Sequence, residues 1–291
     1  MGQNLRVKFL GVRGSYPVCS REFLRFGGNT PSVLLEFEDT AIIFDAGTGI
    51  INAVKELKNK DFIWIFLSHL HQDHIEGYPF FILNEEIRRK IDTFGPNFRK
   101  GFFRILSTYF SYSFSPIPFK RFMKRESIFG LNGGEIIFTD DNTPQILRRK
   151  NVHTKRSFYV ESIKMDSHPN DGVLVYKTFL GNRSIVYATD VELNNNVIKI
   201  MIEFCRNADI LIHDSQYTDE EYFSNANPKK GFGHSTWRLA CELAKKSEVK
   251  RLILFHHDPF HSDGEIEKIE REAKKVFSNS YAAYENMEME L

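Results

Sequence analysis

Short apolar runs recur along the chain, and each is closed by Gly, Asp or Ser in the way that buried strands usually are. The first four runs predict consecutive strands, whereas the later ones alternate with segments of helical pattern at 195–206 and 236–246. The predicted strands cover residues 7–10, 32–37, 41–44, 62–67, 136–138, 157–165, 173–179, 184–188, 210–212 and 251–255. Many short strands with helices between them predict an α/β fold in which helices cover sheets.

The segment 91–125 differs from the rest because phenylalanine and tyrosine interleave there with arginine and lysine. Such a segment can stack its rings on a nucleobase while its cations hold a phosphate. We favour an amphipathic segment that packs its rings on the core or on a second subunit, because aromatic residues at mixed spacing usually serve packing. We expect a single domain over 1–291, with 91–125 as a cap or dimer-contact insertion.

Composition and charge narrow the class of protein. A chain of 291 residues can enclose a substantial core, and its formal net charge of +1 gives no overall attraction to nucleic acid or to an anionic membrane. The three cysteines, Cys19, Cys205 and Cys241, are odd in number and far apart, which predicts free thiols in a reducing compartment. No apolar stretch has the pattern of a signal peptide or the length of about 18 residues that a transmembrane helix needs. We therefore expect a cytoplasmic protein that does not bind membranes.

The strongest chemical signal is an HxHxDH motif, formed by His69, His71, Asp73 and His74 directly after an apolar run. Three imidazoles and a carboxylate are costly to remove from water unless a cation binds them, and they are typical ligands of Zn²⁺ and similar ions. The strand before the motif and Gly77 after it place the motif at the edge of a sheet, where sites form. This context favours a metal site over a solvated histidine-rich loop.

The motif is the hallmark of the metallo-β-lactamase superfamily, which the chain also resembles in four further motifs that stand in the family order. Asp45 ends a strand and matches the aspartate that orients the metal loop. His168 in DSHP matches the third histidine, Asp190 in VYATD the bridging carboxylate, and His256 in LILFH the last ligand. The resemblance implies a four-layer αβ/βα sandwich of the metallo-β-lactamase type, within the α/β class.

The resemblance also implies two divalent metal ions, with Zn²⁺ expected and Mn²⁺ or Fe²⁺ as alternatives. The implied ligands are His69, His71 and His168 for one ion, Asp73, His74 and His256 for the other, and Asp190 between the two. Ions held in this way would activate water and stabilise charge on a phosphoryl oxygen. Hydrolysis is therefore the expected chemistry.

The last implied ligand has a neighbour that offers the same chemistry. Adjacent residues on a strand face opposite ways, so only one of His256 and His257 is expected in the site, and the family register favours His256. His257, His261 and Asp263 are left as candidates for supporting or substrate contacts. His153 is not expected to bind metal.

Three stretches, 208–214, 233–236 and 249–259, resemble ribonuclease Z and the related cyclic-phosphate phosphodiesterases. The resemblance implies that Asp214 orients His234, which as an imidazolium would protonate the leaving alkoxide. With Asp73, these two residues form the expected catalytic group.

Three further residues are candidates for substrate contact. Ser235 stands at the start of a predicted helix, where it would cap the helix, contact a phosphate, or do both. Arg13 and Asn29 lie in loops that resemble the family loops around the active-site mouth. The glycines beside them can equally be turn residues.

Two family features bear on the substrate. Ribonuclease Z enzymes carry a protruding arm rich in Gly, Pro and basic residues that grips transfer RNA, and we find no counterpart between the metal motifs here. Phosphoribosyl cyclic phosphate diesterases often carry a cysteine-rich zinc site, whereas Cys19 is the only cysteine of the early loop. A near-neutral net charge also argues against a large surface for RNA.

We therefore expect a phosphodiesterase that hydrolyses a cyclic nucleotide or a similar small cyclic phosphodiester. The alternatives are a transfer RNA 3′-processing endonuclease, for which RNA would be the partner, and a hydrolase of a lactam, lactone or thioester. The Asp214–His234 pair disfavours the last, and the complete set of seven ligand types disfavours a binding module without activity. A homodimer is left open.

Overall fold

Two mixed β-sheets pack face to face in this computed structural model, which describes residues 5–87, 89–98, 101–111, 118–140, 143–148, 157–169 and 171–291. The first sheet has the strand order β15-β1-β2-β3-β4-β5-β6. Its strands are β1 Arg6–Gly11, β2 Ser32–Phe37, β3 Thr40–Phe44, β4 Phe62–Phe66, β5 Ile91–Pro96, β6 Glu126–Leu131 and β15 Glu288–Glu290. The run from β3 to β6 is parallel, and the pairs at the other end are antiparallel.

The second sheet has the order β14-β13-β12-β11-β10-β9-β7-β8. Its strands are β7 Glu135–Asp140, β8 Thr143–Arg148, β9 Phe158–Met165, β10 Val173–Leu180, β11 Arg183–Ala188, β12 Ile210–Asp214, β13 Arg251–Phe255 and β14 Ser280–Ala282. The run from β11 to β14 is parallel, and the remaining pairs are antiparallel.

Helices cover the outer faces of both sheets. They are α1 Tyr78–Ile82, α2 Phe102–Tyr109, α3 Phe119–Phe122, α4 Val197–Cys205, α5 Asp219–Tyr222, α6 Trp237–Lys246 and α7 Asp263–Val276. Short 3-10 turns occur at Arg21–Phe23, Thr48–Ala53, Glu56–Asn59 and Gln72–His74. No helix in the described part of the chain has both the length and the apolar character needed to cross a membrane.

The hydrophobic core has three main layers. Aromatic rings from both sheets fill the space between them, as where Phe44 stacks on Tyr187 with ring centroids 5.0 Å apart. A second layer joins the first sheet to α1, α2 and α3, and a third joins the other sheet to α4, α6 and α7. The four-layer αβ/βα sandwich that the motifs implied is therefore confirmed.

The structure refines the expected elements at several boundaries. The predicted helices 195–206 and 236–246 occur as Val197–Cys205 and Trp237–Lys246. The segment 91–125 begins inside the first sheet as β5, so the part that departs from the sheets starts after Pro96. Three of its rings, those of Phe102, Phe110 and Phe122, are buried in the layer outside the first sheet. These three rings therefore serve packing.

The two sheets bring the ends of their parallel strands to one edge of the sandwich. Within each parallel run, neighbouring strands point the same way, so the loops that follow them meet there. The residues that follow or end these strands are Asp45 after β3, the HxHxDH motif after β4, Asp190 after β11, Asp214 at the end of β12 and His256 after β13. The loop between β9 and β10 adds His168.

Candidate metal centre

The side chains expected as metal ligands converge at this edge. We use the name His/Asp cluster for His69, His71, Asp73, His74, His168, Asp190 and His256. The potential ligand atoms of His69, His71 and His168 lie within 4.8 Å of one another, and so do those of Asp73, His74 and His256. The structure therefore forms both of the groups that the sequence motifs implied.

Asp190 lies between the two groups, with one carboxylate oxygen toward each. Its Oδ1 is 3.8 Å from His69 Nε2 and 3.7 Å from His168 Nε2. Its Oδ2 is 3.2 Å from His74 Nε2 and 3.3 Å from His256 Nε2. Asp190 thus occupies the position of a carboxylate that can bridge two cations.

The cluster leaves buried nitrogens without hydrogen-bond partners. His69 Nε2 and His74 Nε2 are both enclosed, and although oxygens of Asp190 lie 3.8 and 3.2 Å away, neither nitrogen forms a hydrogen bond of good geometry. His71 Nδ1 and His168 Nε2 point at each other across 3.0 Å. Buried polar atoms are rarely left in this state, and imidazole nitrogen with carboxylate oxygen is the donor set of Zn²⁺. The residues therefore fit divalent cations.

The electrostatics favour the protonation states that bind a cation. Burial lowers the pKa of His69 and His71, and it lowers the pKa of His168 to about 4. Burial acts in the opposite direction on Asp190, but His256, His74 and His69 outweigh it and hold the pKa of Asp190 well below its usual range. These three neutral imidazoles beside an ionised carboxylate can accept a metal with little loss of protons. His74 is the exception: burial opposes its charged form, but Asp73, Asp190 and Asp45 outweigh it and hold the pKa of His74 well above its usual range, so this ring would release a proton when a metal binds.

Asp45 orients the expected ligand His74 by bonding to the ring nitrogen on the far side from Asp190, as the resemblance implied. Its Oδ2 lies 2.8 Å from His74 Nδ1 and accepts a hydrogen bond of 2.7 Å from the Tyr187 hydroxyl. The backbone N–H and the hydroxyl of Ser68 donate to the same carboxylate at 2.7 and 2.8 Å. A carboxylate bonded to the second nitrogen of a metal-binding imidazole fixes its tautomer and ring orientation.

Four supporting contacts were not found from the sequence. Gln216 Oε1 lies 2.9 Å from His256 Nδ1, and the Gly233 carbonyl lies 3.1 Å from His168 Nδ1. The Ser15 N–H donates to Asp73 Oδ2 at 2.8 Å, and Ser68 Oγ lies 3.0 Å from His69 Nδ1. Ser68 stood beside the HxHxDH motif and Gly233 opened the stretch 233–236, whereas Ser15 and Gln216 had not been singled out.

The backbone is strained at three residues of the site. Asp45, Asp190 and His256 adopt φ angles of 57°, 56° and 62°, in the left-handed region that non-glycine residues rarely occupy. Each costs roughly 1–3 kcal/mol and persists only where the surrounding structure enforces it. Gly14 packs against His256 so closely that a Cβ there would lie 2.4 Å from the imidazole ring. The fold thus holds this end of the cluster in a demanding geometry.

Asp214 and His234 form a second pair directly beside the cluster. Asp214 Oδ2 lies 2.8 Å from His234 Nδ1, and its Oδ1 accepts hydrogen bonds from the N–H groups of Ser235 and Gln216. Burial opposes the charged imidazole, but Asp214 outweighs it and raises the pKa of His234 to about 9. His234 Nδ1 is 3.6 Å from Asp190 Oδ1. Its Nε2 is the nitrogen left for a reacting group.

The structure corrects the expectation of substrate contact for Arg13. The side chain is fully buried, and its guanidinium donates to the backbone carbonyls of Gly27, Asp258 and His261. Arg13 therefore ties loops together beneath the mouth of the site. Asn29 is partly buried, and its side-chain amide donates to Glu285 at 3.0 Å.

The expectation for Ser235 is also corrected. Its hydroxyl is buried, donates to the Val191 carbonyl and accepts from the Leu193 N–H. The N-cap of α6 is Thr236, whose hydroxyl accepts from the Leu239 N–H at 3.2 Å. Ser235 thus fastens the loop after Asp190 and neither caps the helix nor faces a substrate.

The remaining candidates lie outside the His/Asp cluster. His257 points away from it and its Nε2 lies 2.9 Å from the Ala283 carbonyl, while burial lowers its pKa to about 3. His261 pairs with Glu221 at 2.8 Å. Asp263, at the start of α7, accepts hydrogen bonds from the backbone N–H groups of Arg25 and Phe26. His153 lies outside the described residues.

Comparison with known proteins agrees with this architecture. Residues 40–257 match the family model described as Beta-lactamase superfamily domain. The chain is similar to Ribonuclease Z of Thermoplasma acidophilum, with 26% identity over an alignment that covers 100% of this chain and 98% of the relative.

Two solved structures show the same fold. The metallo-beta-lactamase fold protein YhfI from Bacillus subtilis has a TM-score of 0.70 and 17% identity, and covers 99% of this chain and 100% of its own. Human tRNase Z, short form, has a TM-score of 0.62 and 20% identity, and covers 98% of each chain. Because the family model spans most of the chain and the clustered donors fit divalent cations, this chain is a metal-dependent hydrolase that belongs to the beta-lactamase superfamily.

Proposed function

We propose that this hydrolase cleaves phosphodiester bonds in RNA, in a reaction of the ribonuclease Z type that trims the 3′ end of transfer RNA. The observation that carries the proposal is the Asp214–His234 pair beside Asp190, because it supplies a proton donor where a leaving oxygen would depart. The similarity to Ribonuclease Z of Thermoplasma acidophilum, which extends over both whole chains, supports RNA above the cyclic nucleotide that the sequence analysis placed first.

Two zinc ions are the proposed metals. The proposed ligands are His69, His71 and His168 for one ion, Asp73, His74 and His256 for the other, and Asp190 for both. Bound there, divalent ions would supply an activated water and Lewis-acid stabilisation of charge on a phosphoryl oxygen. Asp45 and Gln216 would keep His74 and His256 in the ring orientations that binding requires.

His234 would act as the general acid. Asp214 accepts a hydrogen bond from His234 Nδ1–H and favours the imidazolium, so Nε2 also carries a proton, and this proton can be donated. An alkoxide is a poor leaving group in water, and its protonation during bond cleavage removes that barrier. The backbone N–H groups of Ser235 and Gln216 donate to Asp214 Oδ1 and so hold the carboxylate in place.

The proposal is tested with a transfer RNA precursor that carries a 3′ trailer and with protein loaded with zinc or manganese. We expect the wild type to release the trailer, His234→Ala to lose about 10²-fold or more in kcat with its metal content intact, and Asp73→Ala to lose both activity and metal. Asp61→Ala, at a half-exposed aspartate outside the cluster, is the matched control and should behave as wild type. Failure of fully loaded wild type to cleave the precursor would overturn the proposal.

A small cyclic phosphodiester is the second candidate, because one feature of the fold favours it. Between residues 171 and 190 the chain forms only the hairpin of β10 and β11, whose turn is Gly181 and Asn182. No arm for gripping a large RNA is inserted in that described stretch. Including 2′,3′- and 3′,5′-cyclic nucleotides beside the precursor decides between the two substrates, since turnover of a cyclic nucleotide alone would favour the second.

A further inference from the structure

Two adjoining cavities open directly beside the His/Asp cluster. The first, of about 380 Å³, is walled by His69 and His71 on one side and by apolar side chains on the other. Those apolar side chains are Leu70, Pro96, Phe98, Ile105 and Pro169. The second, of about 770 Å³, reaches His168 and is lined by polar groups, among them Asn97, Asn132, Lys164 and Asp166.

The cavities share Phe98, Asp171 and Gly172, so they form one continuous depression that we name the Phe98 groove. Its apolar chamber is lined in part by His71, and its polar chamber is lined both by His168 of the cluster and by Lys164 of β9. A chamber of about 380 Å³ is within the range of small-molecule sites. Because both chambers touch cluster histidines, a group bound in the groove would adjoin the reacting phosphate.

Phe98 is held in place by its backbone. It follows the end of β5, where the Asn97 N–H donates to the Leu131 carbonyl at 2.7 Å and so continues the pairing with β6. The Phe98 carbonyl accepts from the Gly101 N–H at 2.8 Å, and Gly101 has a φ of 76°, which glycine adopts readily. The ring also packs against the core between the sheets. The ring is therefore anchored at the boundary between the two chambers, both of which it lines.

The charges of the polar chamber select against a second phosphate. Lys164 is the only cation among its described lining residues; its Nζ lies 4.7 Å from the centre of the Phe98 ring and 2.6 Å from Asp166 Oδ1. Asp171 adds a second carboxylate. One ammonium beside two carboxylates and two amides suits hydroxyl and amino groups, which donate hydrogen bonds, better than an anion.

We propose that the Phe98 groove binds the nucleoside that adjoins the scissile phosphate, with its base against Phe98 in the apolar chamber and its polar edge or ribose in the other. The assignment rests on the proposed function in that it takes the phosphate at the His/Asp cluster as given. Every base has a face that stacks on an aromatic ring, so the groove would accept a nucleoside with little preference for sequence.

Equilibrium binding tests this assignment without relying on turnover. Isothermal titration calorimetry of the zinc-loaded protein compares adenosine 5′-monophosphate with ribose 5-phosphate, which has the same phosphate and no base. We expect the nucleotide to bind about tenfold tighter or more, and Phe98→Ala to remove most of that difference while leaving the affinity for ribose 5-phosphate within about twofold. Adenosine 3′,5′-bisphosphate should bind no tighter than the monophosphate.

Matched variants separate stacking from stability. Phe98→Tyr keeps a ring face and should keep the preference for the nucleotide. Phe103→Ala removes an exposed phenylalanine of α2 that does not line the groove, and it should bind as wild type. Should Phe98→Ala unfold, Phe98→Leu takes its place, since it keeps apolar volume without a ring face.

Equal affinity of the wild type for both ligands, or an undiminished preference in Phe98→Ala or Phe98→Leu, would overturn the assignment. Cleavage of the transfer RNA precursor together with either result leaves the proposed function standing and the groove assignment refuted. A base-dependent affinity that Phe98 controls, in protein that cleaves no phosphodiester, supports the groove and refutes the proposed function.

Discussion

Replacing Asp214 with asparagine changes one hydrogen-bond acceptor of the Asp214–His234 pair into a donor. The carbonyl of the new side chain would still accept from the N–H groups of Ser235 and Gln216, which bond to Asp214 Oδ1 at 2.9 and 3.2 Å. Its NH₂ group would then face His234 Nδ1, which Asp214 Oδ2 now meets at 2.8 Å. The imidazolium would be disfavoured because an N–H cannot bond to another donor.

The size of the effect follows from the pKa of His234. An increase from 6.5 to about 9 corresponds to about 3 kcal/mol of preferential stabilisation of the protonated ring. Loss of about 3 kcal/mol is a factor of roughly 10² in an equilibrium constant, which matches the 10²- to 10⁴-fold contribution usual for general acids. We therefore expect kcat of Asp214→Asn to fall about 10²- to 10³-fold on substrates with an alkoxide leaving group.

The assay compares two leaving groups. A dinucleotide or RNA substrate expels an alkoxide, whereas a nucleotide p-nitrophenyl ester expels an anion that leaves near neutral pH without a proton. Asp214→Asn should lose about 10²-fold or more on the first and less than about tenfold on the second. In metal-free protein, nuclear magnetic resonance should give His234 a pKa of about 9, and the variant should show a lower pKa for this ring.

Equal losses on the two substrates would refute this reasoning, because they would show that Asp214 acts on something other than proton donation. Metal content and melting temperature are measured for the same samples. Asp214 is fully buried, and its Oδ2 also lies 3.5 Å from His256 Nδ1, so its replacement could disturb the fold or the metal site. The metal content and the melting temperature of the variant must therefore match those of the wild type before the kinetic comparison is used.

Three further outcomes are expected. Gly14→Ala should displace His256 and lower the bound metal from two ions toward one per chain by elemental analysis, whereas Gly264→Ala, with open space around it, should keep both ions. Burial raises the pKa of Glu126 to about 7, so its contribution to stability is present below pH 4.5 and lost as the pH rises through 7. Glu126→Gln should reduce the fall in free energy of unfolding between pH 5 and 8 by about 2.5 kcal/mol, measured with urea, and an unchanged fall would contradict this expectation. Removal of the metal ions with a chelator should lower the melting temperature, and added zinc should restore it, because the ions bind only the folded cluster. An unchanged melting temperature after proven metal loss would count against the site.

The sequence determined the strands and the cluster to a large extent, because both leave local signals. A strand buried on both faces is a continuous apolar run, as in residues 62–66, and HxHxDH holds four potential ligands within six positions. The order of the remaining motifs was sufficient to identify the family and to name Asp45, Asp190 and His256. The preference for a small substrate rested on net charge and on a missing arm, which are weaker signals, and the similarity to Ribonuclease Z is the reason that we propose RNA instead.

Only the tertiary structure decided how these residues meet. His71 and His168 touch across 97 positions of sequence, and Asp73 and His256 across 183, so no local pattern encodes their contact. Arg13 was assigned to the mouth of the site from its loop, but the packing of the chain around it buries its charge among backbone carbonyls.

The same limit applies to backbone strain and to the groove. Left-handed φ angles at Asp45, Asp190 and His256 oppose the intrinsic preference of these residues, so they arise only because the assembled sheets enforce them. Phe98 looked like any ring in an aromatic segment until β5, β6 and β9 placed it beside His71 and Lys164. Local patterning thus specifies which elements form, whereas the contacts between distant elements specify what their side chains can do.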